Sequence, residues 1–365
     1  LRQTGEEPSA RRPSGIPPAG EDAVSSALFF GSPREGDPAR FLTLLSVDED
    51  DDTAAIIYIP AATAVEVPGR GLLGVGEALE GGVPLLRVAA ENLLGIEIDA
   101  HVHLTAADTE RLMATVAPLE VDVPREVKVA AGRGRARIVF RSGAQRLSAS
   151  NLTQLLFTPG LDGDQVELGS RHLAVWDGLL DAYEDSPEAL GEQVRAAATA
   201  LERADVPGDE IAALLEMVAA TAPERRTLSI LPVRQVSVGG GELYAADRAE
   251  IEAFLAQTLG GTAADEDLIA VQILNGNGVP GIGQEAAERL VGNGFRVALT
   301  GNAPRLDYKR TLIVTYDRSE AGLDAARRAK ALLRVGRVQV SAQEQGSVDL
   351  TIVIGKDFLR SRSTS

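Results

Sequence analysis

Cysteine is absent from the 365 residues. No disulfide staples this fold, and no thiolate serves as nucleophile or metal ligand. No run approaches the ~18 consecutive apolar residues that a membrane-spanning helix requires, so no segment reads as a span. Histidine occurs three times and tryptophan once. Basic residues are in deficit, 36 against 53 acidic, for a net charge of −17. Such a chain repels polyanions at long range. That argues against nucleic acid as a partner and makes any phosphate site depend on a local cluster of arginines.

What is present is enough apolar material for a packed core: hydrophobic residues make up 44% of the chain. The length exceeds one ordinary domain, and two are expected. Residues 1–24 are rich in proline, glycine and charge and read as a disordered linker. The first residue is Leu1 rather than methionine, so we expect a fragment or processed form, with any membrane contact made through an N-terminal anchor absent from this chain.

Two apolar runs, residues 41–47 and 54–59, flank an acidic turn at residues 48–52 and read as a hairpin with buried strands. Pro60 ends the second strand, because proline has no amide for a central ladder. Gly81, Gly82, Val83 and Pro84 then open a helix that buries Leu86, Ala90, Leu93 and Leu94. Residues 27–31 form a further apolar strand. Residues 98–104 alternate and set His101 and His103 on one face. Two ligands do not make a zinc site, and without His172 converging the pair reads as exposed strand histidines. The acidic turn offers calcium-type ligands, but its spacing fits no EF-hand loop, and a solvated hairpin tip needs no metal. Arg133, Arg135 and Arg137 recur at every second residue, with Arg141 and Arg146 nearby. They form a basic patch on an extended segment, able to contact phosphate or uronate groups. Leu173, Trp176, Leu180 and Tyr183 lie at helical spacing and read as core. Alanine-rich helices over residues 188–203 and 209–222 are followed by one strand run at 228–238 and a closing helix at 247–259.

Beyond a linker at residues 260–267, residues 268–359 alternate strand and helix and imply a small α/β sandwich domain, with residues 360–365 as a tail. The loop Asn275-Gly276-Asn277-Gly278-Val279-Pro280-Gly281 lacks the lysine of a P-loop. Asn275, Asn277 and Asn302 are instead candidate ligands for sugar hydroxyls.

The order hairpin, strand-ending proline, glycine-rich crossing and helix resembles the LytR-CpsA-Psr (LCP) family of bacterial cell-envelope enzymes, which move lipid-linked glycopolymers onto peptidoglycan. Residues 271–295, VQILNGNGVPGIGQEAAERLVGNGF, and residues 349–358, DLTIVIGKDF, resemble the LytR C-terminal domain. The resemblance implies an LCP-like mixed-sheet α/β/α domain over residues 25–259, then the sandwich. It also implies arginines and acidic residues at positions where this chain departs. Gly31-Ser32-Pro33 stands where relatives carry Gly-x-Asp, and Pro38-Ala39-Arg40 where they carry Arg-x-Asp. Ala61 and Ala62 follow Pro60 in place of arginine and aspartate. Phe157 stands for the family's tyrosine, residues 158–161 lack its Arg-x-Arg, and Glu167 and Ser170 lie near two further arginine positions. Arg40, Asp164 and Arg171 are the survivors that a working enzyme would use, with Mg²⁺. The favoured expectation is a non-catalytic, extracytoplasmic envelope protein without cofactor. It would bind peptidoglycan, a cell-wall glycopolymer or an active LCP transferase partner. The alternative is a divergent Mg²⁺-dependent LCP phosphotransferase attaching lipid-linked glycopolymers to peptidoglycan.

Overall fold

The computed structural model describes residues 24–132, 134–161, 163–238, 241–259, 268–341 and 348–361. The readings of residues 1–23, 260–267 and 362–365, and of Arg133, lie outside the described residues. The first sheet grows from the hairpin: β1 (Ser26–Ser32), β2 (Phe41–Asp48) and β3 (Thr53–Pro60) are antiparallel neighbours. Their apolar runs are unbroken because both faces are covered. Phe29, Leu45 and Ile56 enter one core, and Phe30, Leu44 and Ile57 the other. At the hairpin tip the Asp48 carboxylate accepts the amides of Asp50 and Asp51 at 3.0 and 3.1 Å, and Arg225 donates to the carbonyls of Asp51 and Asp52. The acidic turn is closed by its own hydrogen bonds.

Within the glycine-rich crossing lies a small hairpin, β4 (Ala64–Val67) with β5 (Gly71–Gly74). Helix α1 (Val83–Leu94) follows, with Pro84 in its first turn, where the missing amide costs nothing. β6 (Ala100–Thr105) runs parallel to β1, and Thr105 caps α2 (Ala106–Val116). Next come β7 (Leu119–Val123), β8 (Val127–Ala130), β9 (Ala136–Phe140) and β10 (Gly143–Leu147), paired β7 with β10 and β8 with β9. Helices α3 (Ala149–Phe157), α4 (Gln165–Ala182), α5 (Pro187–Ala196) and α6 (Gly208–Ala220) supply the core on the Phe29 side. β11 (Arg226–Ile230) joins β3 in parallel and completes the order β11-β3-β2-β1-β6. β12 (Arg234–Val238) pairs with β13 (Gly241–Ala245), and α7 (Arg248–Thr258) packs with α1 on the opposite face. The run expected as one strand over residues 228–238 is therefore two. Pro232 sits between them and supplies no amide to a ladder.

The second sheet has its own core of Val271, Ile273, Phe295, Leu333, Ile352 and Phe358. Its elements are β14 (Ile269–Asn275), α8 (Ile282–Glu288), β15 (Phe295–Asn302), β16 (Leu312–Thr315), α9 (Glu320–Leu333), β17 (Arg337–Val340), β18 (Leu350–Ile354) and α10 (Lys356–Ser361). The strand order is β15-β14-β18-β16-β17, with β16 and β18 the antiparallel pair. The fold class is α/β: a mixed-sheet α/β/α domain and a small α/β sandwich. Among the described residues no helix is long and apolar enough to cross a membrane.

Candidate functional site

The end of β3 opens on a polar cleft of about 590 Å³ between the β1–β2 connection and Ala61-Ala62. Arg34 and Arg40 line it, as do Asp37, Glu77 and Gln165. Glu77 is partly committed, accepting the Gly74 amide at 3.2 Å. Gln165 accepts the Ala62 amide at 2.8 Å. Ala61 is buried, and a Cβ at Gly76 would lie 2.6 Å from the Ala39 carbonyl oxygen and 2.8 Å from the Ala61 methyl. The backbone of Gly76 thus packs directly against Ala39 and Ala61, with no room for a side chain at Gly76. Arg34 was not among the sequence candidates. Its only signal was its place just after the strand-ending Gly31.

Of the three survivors, the structure brings only Arg40 to this cleft. Asp164 caps α4, accepting the amides of Val166 and Glu167 at 2.9 and 3.4 Å and the Tyr244 hydroxyl at 3.2 Å. Arg171 points the other way. Its side chain is fully buried and donates to the carbonyls of Leu155 and Thr158, each at 2.9 Å, and to Glu167 at 3.0 Å. Burial lowers its pKa, and Glu167 opposes that shift. The guanidinium ties the end of α3 to α4.

Beneath the cleft lies an aromatic cluster. The Phe41 ring sits 5.2 Å from Phe157 and 4.4 Å from His172, and Tyr58 lies 5.1 Å from His172. Complete burial holds His172 near a pKa of 3, so the ring is neutral, with Nε2 3.0 Å from the Leu156 carbonyl. Burial pushes the Tyr58 phenol up, far beyond its usual range. Among the described residues the Tyr58 hydroxyl has no hydrogen-bond partner. Leaving a buried donor unpaired costs on the order of 1 kcal/mol or more. Tyr58→Phe is therefore expected to raise the unfolding free energy by about 1 kcal/mol, read from urea denaturation midpoints; a loss of stability would show that the hydroxyl is bonded. An apolar cavity of about 60 Å³ lies beyond, lined by Phe29, Thr43, Leu112 and Trp176 among others. Trp176 stacks edge-on against Phe29 at 6.1 Å, and the helical stripe on α4 packs largely as core.

The histidine pair differs from expectation. Both side chains do face Phe30, but His103 is buried, 4.9 Å from that ring, with Nε2 2.8 Å from the Ser32 hydroxyl. His101 is half-buried, with Nδ1 2.7 Å from Asp205. The sequence pattern shows which face they share and not that helices cover it. Among the described residues no group of three or more histidines and carboxylates is placed to hold a metal ion; the carboxylates that the cleft itself offers are Asp37 and Glu77. Arg135 and Arg137 are exposed in the β8–β9 hairpin and make no ion pair among the described residues. Asn275 accepts the amides of Asn277 and Gly278, and Asn277 donates to the Gly355 carbonyl. Both amides hold their own loop, whereas Asn302 is exposed at the end of β15.

The family model described as "LytR cell envelope-related transcriptional attenuator" matches residues 268–358. Solved structures share the fold of the larger domain. TagV of B. subtilis is 18% identical with a TM-score of 0.53, covering 66% of this chain and 98% of its own. The LytR-Csp2A-Psr enzyme from Actinomyces oris is 18% identical with a TM-score of 0.51, covering 65% and 90%. This is an LCP fold followed by a LytR C-terminal domain. TagT bound to LI-WTA is 16% identical to the chain with a TM-score of 0.50, covering 65% and 91%. No curated protein matches the sequence. The LCP-fold domain thus shares the scaffold of these structures, and its cleft presents two exposed arginines, Arg34 and Arg40.

Proposed function

We propose that this LCP-fold protein is a non-catalytic, extracytoplasmic component of the cell envelope that binds peptidoglycan, a glycopolymer or an active LCP transferase. One observation carries the reading: the arginine nearest the family's pattern, Arg171, is sealed against carbonyl oxygens and cannot reach the cleft. Phosphoryl-linked transfer rests on cations fixed around the developing charge. Removing a single such group typically costs about 3–4 kcal/mol of barrier. The fold shared with TagT, solved with LI-WTA, supports a glycopolymer as the class of ligand. Arg34 and Arg40 in the cleft favour the second reading, a divergent phosphotransferase.

Two measurements separate them. With Mg²⁺ and a polyprenyl-pyrophosphate-linked glycan, the chain is expected to release no product above an Arg34→Ala/Arg40→Ala variant. Turnover that the double variant abolishes would establish the enzyme. Co-sedimentation with isolated peptidoglycan is the expected positive result, and a chain left wholly in the supernatant would remove glycan binding.

A further inference from the structure

The two domains meet through side chains that imitate a strand. β15 is the outer strand of its sheet, and an unpaired edge needs partners for its amides and carbonyls. Asn92 on α1 supplies them: its Oδ1 accepts the Val297 amide at 2.7 Å and its Nδ2 donates to the Val297 carbonyl at 3.0 Å. Further along, a Glu66 carboxylate oxygen accepts the Thr300 amide at 3.0 Å and its hydroxyl at 2.6 Å. Val88 of α1 enters the second core. These contacts are largely buried, and they fix the β4–β5 turn against the glycine loop of the C-terminal domain.

Between that turn and the loop lies a cleft of about 490 Å³ lined by residues of both domains. Gly69 and Gly71 give one wall; Gly278, Pro280, Gly281 and Asn302 give much of the other. Gly69, Gly71 and Gly281 have φ of +79°, +82° and +77°, and a Cβ on any of them would meet nothing within 4 Å. The glycines therefore leave open space rather than permit close packing. No charged side chain lines the cleft. What it offers is backbone, the remaining acceptor lone pairs of the Thr300 hydroxyl, the Asn302 amide and apolar patches from Ile273, Pro280 and Leu306. Asn302 makes no side-chain hydrogen bond among the described residues and is free to turn to a ligand.

We infer that this interdomain cleft binds an uncharged saccharide chain, recognised jointly by both domains. A sugar ring presents C–H faces to apolar patches and hydroxyl or amide groups to polar ones, which is the mixture on these walls. An anionic polymer would find no counter-ion here and would meet the repulsion of a chain carrying −17. The inference rests on the glycan-binding reading above and assigns it a place.

The test is isothermal titration of the full chain with an N-acetylglucosamine tetramer. Binding is expected, with affinity at least roughly tenfold weaker in Leu306→Trp, which fills the cleft, and several-fold weaker in Asn302→Ala. Leu306 is 49% exposed, so unchanged thermal midpoints should accompany both losses. No binding by the parent chain, or equal binding by Leu306→Trp, overturns the cleft. If Leu306→Trp still co-sediments with peptidoglycan as the parent does, the cleft is wrong and glycan binding stands. If the parent never co-sediments, the broader reading fails independently of the tetramer result.

Discussion

Arg171→Ala is expected to lower the unfolding free energy by roughly 3–5 kcal/mol, the usual cost of removing one partner from a buried ionic cluster. Three groups lose their donor at once: the carbonyls of Leu155 and Thr158, and Glu167. Truncation also leaves a void where the side chain was fully buried. Arg171→Met should recover part of the loss, because an apolar chain of similar length fills the space without restoring the donors. Urea denaturation of the three proteins measures this directly. A cleft-facing catalytic arginine would behave in the opposite way, with stability held and turnover lost. Unchanged denaturation midpoints in Arg171→Ala would return Arg171 to the list of catalytic candidates.

Acidification should destabilise the protein well before its carboxylates are neutralised. His172 takes up a proton near pH 6.5 when unfolded but only near 3 in the native state. Between those values the unfolded chain binds more protons, so stability is full above the unfolded value and falls as pH drops from there towards 3. The slope is about 1.4 kcal/mol per pH unit, or about 3 kcal/mol by pH 4.5. Burial lowers His101 and His103 in the same direction and adds to the loss. His172→Leu removes the largest contribution. It should lose some stability at pH 7, because the Leu156 carbonyl loses its partner, yet show a shallower decline between pH 6.5 and 4.5. Parallel declines in the two proteins would mean that His172 is protonated in the folded state.

Much of this architecture is legible along the chain. The hairpin at β2 and β3 shows in two apolar runs around an acidic turn, and the doubled burial of β1 to β3 shows in their lack of polar alternation. Helix α1 is marked by its glycines and Pro84, and the C-terminal domain by its glycine loop and closing strand. The missed elements have local causes. Pro232 divides a run that composition alone leaves continuous, and β4 and β5 are short strands among glycines. The candidate site was less legible. Ala61 and Ala62 differ from what the family resemblance implies, but only packing shows that Gly76 lies directly against Ala39 and Ala61. Arg34 carries no periodic or motif signal at all, and reaches the cleft through the fold of the β1–β2 connection.

The sequence by itself determined the order of elements and the acidic field, because these follow from residue type and short-range spacing; that cations are missing after Pro60 is what the family resemblance implied. Tertiary structure alone decided that Arg171 faces carbonyls, that His103 is buried and that Asn92 completes the edge of a strand 205 residues away. The reason is physical: a side chain's environment is set by whatever distant segment packs over it, and no local pattern encodes that segment.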